Sequence, residues 1–177
     1  MYGKNTLLII AILAVTLSTA GTFLLSTNLV WAKAVTDIVC NGTNPCNGTN
    51  SDDKIQGDDQ DNKINAKSGD DKISGLAGKD VICGGAGDDK IAGGDGDDRI
   101  LADVSSSQAF CESGFSFGAD KINGGAGDDE IWTGKETFAT QSDGQKDIVD
   151  CGPGDDTVLM NVDVDHDEAV NCEHFTV

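Results

Sequence analysis

Acidic side chains recur every nine residues along the stretch Gly48–Leu101. Six copies follow one another without a gap, and the sixth residues of the copies are Asp53, Asn62, Asp71, Asp80, Asp89 and Asp98. Carboxylate, amide and backbone carbonyl oxygens are ligands of hard cations, and a set of six to eight such ligands favours calcium over magnesium. The spacing therefore predicts a row of cation ligands, one in each copy.

Every copy also carries an isoleucine two residues after the acidic position. These residues are Ile55, Ile64, Ile73, Ile82, Ile91 and Ile100. Glycine-rich turn sequences precede them, and the last three residues of each copy read as a very short strand whose isoleucine faces inward. A fixed period of this kind indicates a solenoid, in which two copies make one turn of a flattened roll and the strands stack in parallel about 4.8 Å apart.

Stacked turns bring the acidic residues of neighbouring copies close together. Two like charges about 4 Å apart repel by about 4 kcal/mol at an effective dielectric constant of 20. The basic side chains, such as Lys72, Lys90 and Arg99, stand at the seventh position, where the strand alternation points them into solvent. Divalent cations between the turns would offset the repulsion, so we expect ion binding to supply much of the folding free energy.

Two consecutive copies, Gly84–Ala92 and Gly93–Leu101, match the pattern G-G-x-G-x-D-x-U-x, in which U is a large apolar residue. The chain thereby resembles the repeats-in-toxin (RTX) family of calcium-binding nonapeptide repeat proteins. The resemblance implies an all-β fold, a right-handed parallel β-roll that holds several calcium ions between its stacked turns. The implied ligands are acidic side chains and turn glycines, namely Asp53, Asp71, Gly78, Asp80, Gly85, Gly87, Asp89, Gly94, Gly96, Asp98, Asp120, Gly125, Gly127, Asp129, Asp147 and Asp156.

The first copies depart from this pattern. Asn62 replaces an aspartate, so we expect a weaker site there, and Ser51 and Gln60 stand where the pattern has its fourth-position glycine. Ala66 replaces the first-position glycine of its copy. We therefore expect the strongest sites in Gly75–Leu101, with the earlier copies serving more as a lead-in held by the core isoleucines.

The first part of the chain differs in composition from the rest. No charged residue lies between Lys4 and Lys33, and Ala32-Lys33-Ala34 has the small-x-small form that signal peptidase accepts. We predict that residues 1–34 form a hydrophobic helix that is a signal peptide, and an uncleaved membrane anchor through residues 7–31 is the alternative. Either arrangement places the acidic part of the chain outside the cell, because Lys4 stays in the cytoplasm.

The cysteines fit an extracellular location, because an even number of them in a secreted chain favours disulfides. We predict that neighbouring cysteines pair and that each pair brackets a segment outside the repeats. The predicted pairs are Cys40–Cys46, Cys83–Cys111 and Cys151–Cys172. Sequons for N-glycosylation begin at Asn41 and Asn47, and the same Asn-Gly pairs are also ordinary turn sequences.

The repeats resume after two interruptions and continue almost to the C-terminus. We predict an N-terminal cap over residues 35–47, a calcium-binding roll over residues 48–159 and a C-terminal cap over residues 160–177. The roll contains insertions at residues 102–114 and 133–141. The residues that restore the acidic position after the first insertion are Asp120, Asp129, Asp147 and Asp156.

The formal net charge of -19 argues against nucleic acid and anionic membrane surfaces as partners. No region is long enough for a separate catalytic domain, so we predict that the chain is not an enzyme. We expect an extracellular calcium-binding protein that folds or is stabilised on calcium and that has a structural or interaction role at or outside the cell surface. Its cell-surface or extracellular-matrix partner is not identified by the sequence. The alternative is an accessory or fragment of a secreted hydrolase or toxin whose catalytic part lies elsewhere.

Overall fold

The computed structural model describes residues 35–41, 45–103, 111, 118–134, 145–160 and 166–176. The predicted hydrophobic helix over residues 1–34, with its signal-peptide and anchor interpretations, lies outside these residues. Within the described ranges, no helical segment has the length and apolar character needed to cross a membrane. The regular structure in these ranges consists of β-strands.

Short strands follow one another along the described chain, most of them three to six residues long. Their bounds are Thr36–Val39 (β1), Cys46–Asn47 (β2), Asp53–Gln56 (β3), Lys63–Ser68 (β4), Lys72–Ala77 (β5), Val81–Ala86 (β6), Lys90–Asp95 (β7), Arg99–Leu101 (β8), Lys121–Ala126 (β9), Glu130–Trp132 (β10), Ile148–Asp150 (β11), Thr157–Leu159 (β12), Glu168–Val170 (β13) and His174–Thr176 (β14).

Successive strands alternate between two parallel sheets of seven strands each. One sheet contains the odd-numbered strands in the order β1-β3-β5-β7-β9-β11-β13, and the other contains the even-numbered strands from β2 to β14 in the same manner. Each turn of the chain therefore adds one strand to each sheet. This arrangement confirms the all-β parallel roll with two nonapeptides per turn.

The eighth-position residues stack in register and form the core between the sheets. In the odd-numbered sheet Ile73 pairs with Ile91, and in the even-numbered sheet Ile82 pairs with Ile100. These four side chains are 0–3% exposed. Burying one isoleucine side chain stabilises a fold by about 1.5–3 kcal/mol, so a core one residue deep from each sheet gives this glycine-rich chain limited stability.

The insertions leave this register intact. Ile91 stacks on Ile122 across the first insertion, and Ile122 stacks on Val149 across the second. The first pair is 31 residues apart in sequence, whereas repeats without an insertion stack at 18 residues, as for Ile73 and Ile91. The described strands therefore keep the same register before and after each insertion.

The terminal segments also contribute strands to both sheets. Cys46 of β2 stacks on Ile64 and takes a core position, and Phe175 of β14 stacks on Val158 at the other end. The segments predicted to be caps thus extend the sheets at both ends. The boundary at residue 159 remains a prediction about domain organisation, although the strand pairing continues beyond it.

All three predicted disulfides are confirmed. The bonded pairs are Cys40–Cys46, Cys83–Cys111 and Cys151–Cys172. The second bond ties the first insertion to the even-numbered sheet, where Cys83, Leu101 and Cys111 form a small apolar cluster separate from the core. Trp132 packs against this cluster, so the tryptophan belongs to an apolar surface and not to a ligand set.

Candidate metal centres

The acidic residues lie where each turn enters a strand, and parallel register aligns them into two ladders. The first ladder lies on the turns that lead into odd-numbered strands and consists of Asp53, Asp71, Asp89, Asp120 and Asp147. The second ladder lies on the turns that lead into even-numbered strands and consists of Asn62, Asp80, Asp98, Asp129 and Asp156. The predicted acidic positions are therefore brought together from distant parts of the sequence.

Each residue of a ladder is called a rung, and hydrogen bonds from backbone amides join each rung to the next. The amide of Asp71 donates to Oδ1 of Asp89 at 2.9 Å, and the amide of Asp89 donates to Oδ1 of Asp120 at 2.8 Å. The second ladder repeats this pattern, with the amide of Asp80 donating to Oδ1 of Asp98 at 2.9 Å. One oxygen of each carboxylate is thereby used to fix the orientation of the whole group.

The second oxygen of most rungs is buried and accepts no hydrogen bond from the described residues. This holds for the Oδ2 atoms of Asp71, Asp80, Asp89, Asp98, Asp129 and Asp156. These residues are at most 3% exposed. An uncompensated buried polar atom costs about 1–3 kcal/mol, and more if it is charged. The ladders therefore present oriented carboxylate oxygens that a cation would satisfy.

Backbone carbonyl groups converge on the same points. A Cβ added to Gly84 would lie 2.6 Å from Oδ2 of Asp89 and 3.3 Å from the carbonyl oxygen of Ala102, which belongs to the next turn. At Gly93 an added Cβ would likewise collide with Oδ2 of Asp98 and the carbonyl oxygen of Gly124. The first-position glycine therefore leaves room beside an oxygen pair that consists of one carboxylate and one carbonyl from the following turn.

Burial raises the pKa of five ladder carboxyl groups above their ordinary value of 3.8. The pKa rises to about 6 for Asp71, Asp80 and Asp129 and to about 7 for Asp89 and Asp98. Loss of hydration is the largest cause, the backbone hydrogen bond opposes it, and neighbouring aspartates add to it. A charged ladder is thus unfavourable in the metal-free protein, and a bound cation would favour the charged form.

The first rung of each ladder differs from the others. Oδ2 of Asp53 accepts hydrogen bonds from the amide of Thr49 at 2.6 Å and from its hydroxyl at 3.0 Å. Asn62 accepts from the amide of Asp58 at 2.8 Å and donates to its carboxylate at 3.0 Å. Their side chains are therefore satisfied within their own turns, which supports the lead-in role expected for the first copies.

The turn glycines predicted as ligands occupy a different part of each turn. Gly78, Gly85, Gly87, Gly94, Gly96, Gly125 and Gly127 stand at second and fourth positions, and all of them have positive φ. Side chains other than glycine reach this region at a cost, as Leu76 does with φ of 85°. These glycines stay predicted ligands. First-position carbonyl oxygens, such as those of Gly93, Gly124 and Cys151, also lie close to the first-position glycine of the preceding turn, beside which the ladder Oδ2 atom is placed. The sequence pattern offered no signal for this, because the carbonyl direction depends on the path of the turn.

Three further acidic residues are not among the predicted ligands. Asp103 lies within the first predicted insertion, and its carboxylate is within 4.8 Å of those of Asp120 and Asp147. Asp167 accepts from the amide of Asp147 at 2.9 Å, and Glu173 accepts from the amide of Asp156 at 3.1 Å. The last two therefore extend the ladders by one rung each, in a segment that lacks the glycine pattern.

Both the donor set and its geometry fit calcium. The oriented carboxylate oxygens and the carbonyl groups beside them are hard ligands, and they come from consecutive turns, so one ion can join two rungs. A family model for the RTX calcium-binding nonapeptide repeat, present in four copies, matches residues 47–82, 74–104 and 116–136. No curated protein and no solved structure matches the chain. The chain therefore contains RTX calcium-binding nonapeptide repeats within residues 47–136, and these repeats bind Ca²⁺.

Proposed function

We propose that this protein is an extracellular calcium-binding β-roll whose folded state is stabilised by several Ca²⁺ ions, with a structural or interaction role at or outside the cell surface. The ligands would come from buried carboxylates of both ladders, together with the first-position carbonyl groups. The proposed carboxylate ligands are Asp71, Asp80, Asp89, Asp98, Asp120, Asp129, Asp147 and Asp156.

One observation carries the coupling between calcium and folding. Buried and oriented Oδ2 atoms without a hydrogen-bond partner among the described residues occur on both ladders, at Asp71, Asp80, Asp89, Asp98, Asp129 and Asp156. A thin core cannot offset many buried carboxylates, whereas a cation between two rungs neutralises them and links the turns. Because the unfolded chain cannot form such sites, ion binding contributes directly to the free energy of folding.

The extracellular location is supported by the disulfides. All six cysteines are paired, and disulfides persist in oxidising compartments. The sites would operate outside the cell even if they were weak, because extracellular calcium modules commonly bind at ~0.1–1 mM. We also propose that the chain is not itself an enzyme, since its buried polar groups are arranged as repeated ion ligands.

Far-UV circular dichroism of the full chain, with calcium added and then removed by a chelator, tests the coupling. The β-sheet signal should rise with calcium, fall with the chelator and return when calcium is restored. Magnesium should produce a weaker response at equal concentration, because it requires near-octahedral geometry and gives up water reluctantly. A spectrum that is the same with and without calcium would show that the metal does not drive folding.

A further inference from the structure

Asp103, Asp120 and Asp147 form a cluster that the repeat pattern does not describe. Their carboxylate oxygens lie within 4.8 Å of one another, and the three residues are 4%, 0% and 2% exposed. Asp120 and Asp147 are successive rungs of the first ladder, joined by the hydrogen bond from the Asp120 amide to Oδ1 of Asp147 at 2.8 Å. Asp103 adds a third carboxylate, and it comes from outside the nonapeptide pattern.

The path of the chain at Asp103 explains how this carboxylate reaches the ladder. Ala102 holds the first position of its turn, since its amide donates to Trp132 and its carbonyl accepts from Gly85. Asp103 therefore stands at the second position, where Lys67 and Gly85 have φ of 83° and 106°. Asp103 is not among the positive-φ residues of the described chain. The chain departs from the repeat conformation here, and the side chain is buried instead of lying on the outside of the turn.

Thr133 supplies an independent indication of a ligand. Thr133 is 3% exposed, and its hydroxyl oxygen has no hydrogen-bond partner among the described residues. Thr133 stacks next to Ala102 because β10 pairs with β8, and Ala102 stacks next to Gly84 because β8 pairs with β6. Thr133 therefore lies in the row of first-position residues that runs beside the first ladder. At the equivalent glycines Gly48 and Gly84, an added Cβ would lie 2.9 Å and 2.6 Å from Oδ2 of the rung that ends the same turn. The register therefore aims the Thr133 side chain at the carboxylate of Asp147.

We propose that Asp103, Asp120, Asp147 and the Thr133 hydroxyl form a calcium site of their own kind, which includes residues from the start of both insertions. This inference rests on the proposed function, because it assumes that the ladders hold calcium. The site differs from the repeat sites in having three carboxylates and a hydroxyl instead of two carboxylates. Ligand charge raises calcium affinity, so this site is filled at lower calcium concentration than the repeat sites and holds the insertions in place.

Calcium titration of the full chain by isothermal calorimetry, comparing the wild type with Asp103→Asn, tests the site. The substitution keeps the size of the side chain and removes one charge. We expect the tightest binding step to weaken at least tenfold while the weaker steps persist. Asp95→Asn is the matched control, because Asp95 is an exposed aspartate of a repeat turn, and it should change the tightest step by less than twofold.

A second variant separates ion binding from folding. Thr133→Val keeps the shape and the β-branched form of the side chain, so the roll should form while the tightest step weakens. In a chelator, Asp103→Asn should be at least as stable as the wild type, because one of three clustered carboxylates is gone. Unchanged tight binding in both variants would overturn the inference while leaving the proposed function standing. A wild type that binds no calcium at all would instead refute the proposed function.

Terbium luminescence provides a readout of position. Trp132 immediately precedes Thr133, and the other tryptophan of the chain is Trp31. In a Trp31→Phe background, terbium added to the full chain should first fill the site nearest Trp132 and give sensitised emission from the first equivalent. Adding Asp103→Asn should delay this emission to higher terbium concentration. Emission that rises only after several equivalents, or that is unaffected by Asp103→Asn, would contradict the assignment.

Discussion

Removing one buried carboxylate from each ladder should have opposite effects with and without calcium. We consider the double substitution of Asp89→Asn and Asp98→Asn, which takes one rung from each ladder. Asparagine retains an oxygen that can accept the amide hydrogen bond now made to Oδ1, at 2.9 Å from Asp71 in the first ladder. The change therefore removes charge and a cation ligand while keeping the ladder hydrogen bond.

The effect of the double substitution on the stability of the metal-free protein follows from the pKa shifts. The pKa of each group rises from 3.8 to about 7, a difference of about 3 units. One unit corresponds to about 1.4 kcal/mol, so keeping each buried carboxylate charged well above pH 7 costs up to about 4 kcal/mol of folding free energy. In a chelator at pH 8 the double variant should therefore be more stable than the wild type, by less than the sum because buried asparagine also loses hydration.

The calcium effect has the opposite sign. Asp89 is shared between the site below it, with Asp71, and the site above it, with Asp120, so one substitution weakens two sites. We expect the calcium concentration at the midpoint of the circular dichroism transition to rise at least tenfold, which corresponds to about 1.4 kcal/mol. The matched control is Asp88→Asn with Asp97→Asn, the exposed neighbours in the same turns, which should shift the midpoint by less than threefold.

The assay follows urea unfolding of the full chain by circular dichroism, once in a chelator and once in calcium. The reasoning is supported if the double variant gains stability in the chelator and loses it in calcium relative to the wild type. It is refuted if the variant is less stable than the wild type in both conditions, or if its calcium midpoint equals that of the wild type. Either result would mean that these carboxylates serve the fold by some means other than cation binding.

The other predictions concern a gained ligand, pH and the core. Asn62→Asp should lower the calcium midpoint, because it adds a carboxylate to the second ladder. It should also destabilise the metal-free protein, because the hydrogen bond from Asn62 to Asp58 is replaced by repulsion between two carboxylates. Calcium titration of the wild type and of the variant checks both effects. The pKa of the ladder carboxyl groups is raised to about 6–7, so their charged form destabilises the folded metal-free protein above pH 7. Protonation removes this destabilisation as the pH falls toward 4, and the metal-free protein should therefore be more stable at pH 5 than at pH 8. Calcium competes with those protons, so the calcium midpoint should rise between pH 7.5 and pH 5.5, and a pH-independent midpoint would contradict the assignment. Ile82→Ala, at a 0% exposed core position, should cost about 2–5 kcal/mol in urea unfolding with calcium present, whereas Leu76→Ala, at 37% exposure, should cost less than about 1 kcal/mol.

Much of the fold could be predicted from the nine-residue period, since each copy forms the same turn and short strand. Ile82 and Ile100 both stand at the eighth position, and identical spacing puts them in register whenever the strands stack in parallel. The acidic ladders follow from the same reasoning, because Asp80 and Asp98 keep a constant offset from those isoleucines. The disulfide pairs were also predicted correctly, because cysteines that are neighbours in the sequence are bonded to each other.

The parts that could not be read depend on where the backbone points and on what happens outside the pattern. The choice of first-position carbonyl groups, such as that of Gly124, follows from the path of the turn and not from residue type. Asp167 and Glu173 extend the ladders without a glycine pattern, because strand pairing with the preceding turn positions them. The local sequence around these two residues does not predict that pairing.

The sequence by itself determined the repeating unit: a turn, an acidic ligand and one core isoleucine, with calcium as the ion that such oxygens select. Those features are local, and they follow from the period alone. Only the tertiary structure decided which carboxylates lie next to each other, because this depends on contacts between residues 18, 27 or 31 apart in the sequence. It also decided the position of Asp103, whose carboxylate enters the first ladder because the chain leaves the repeat conformation at that residue.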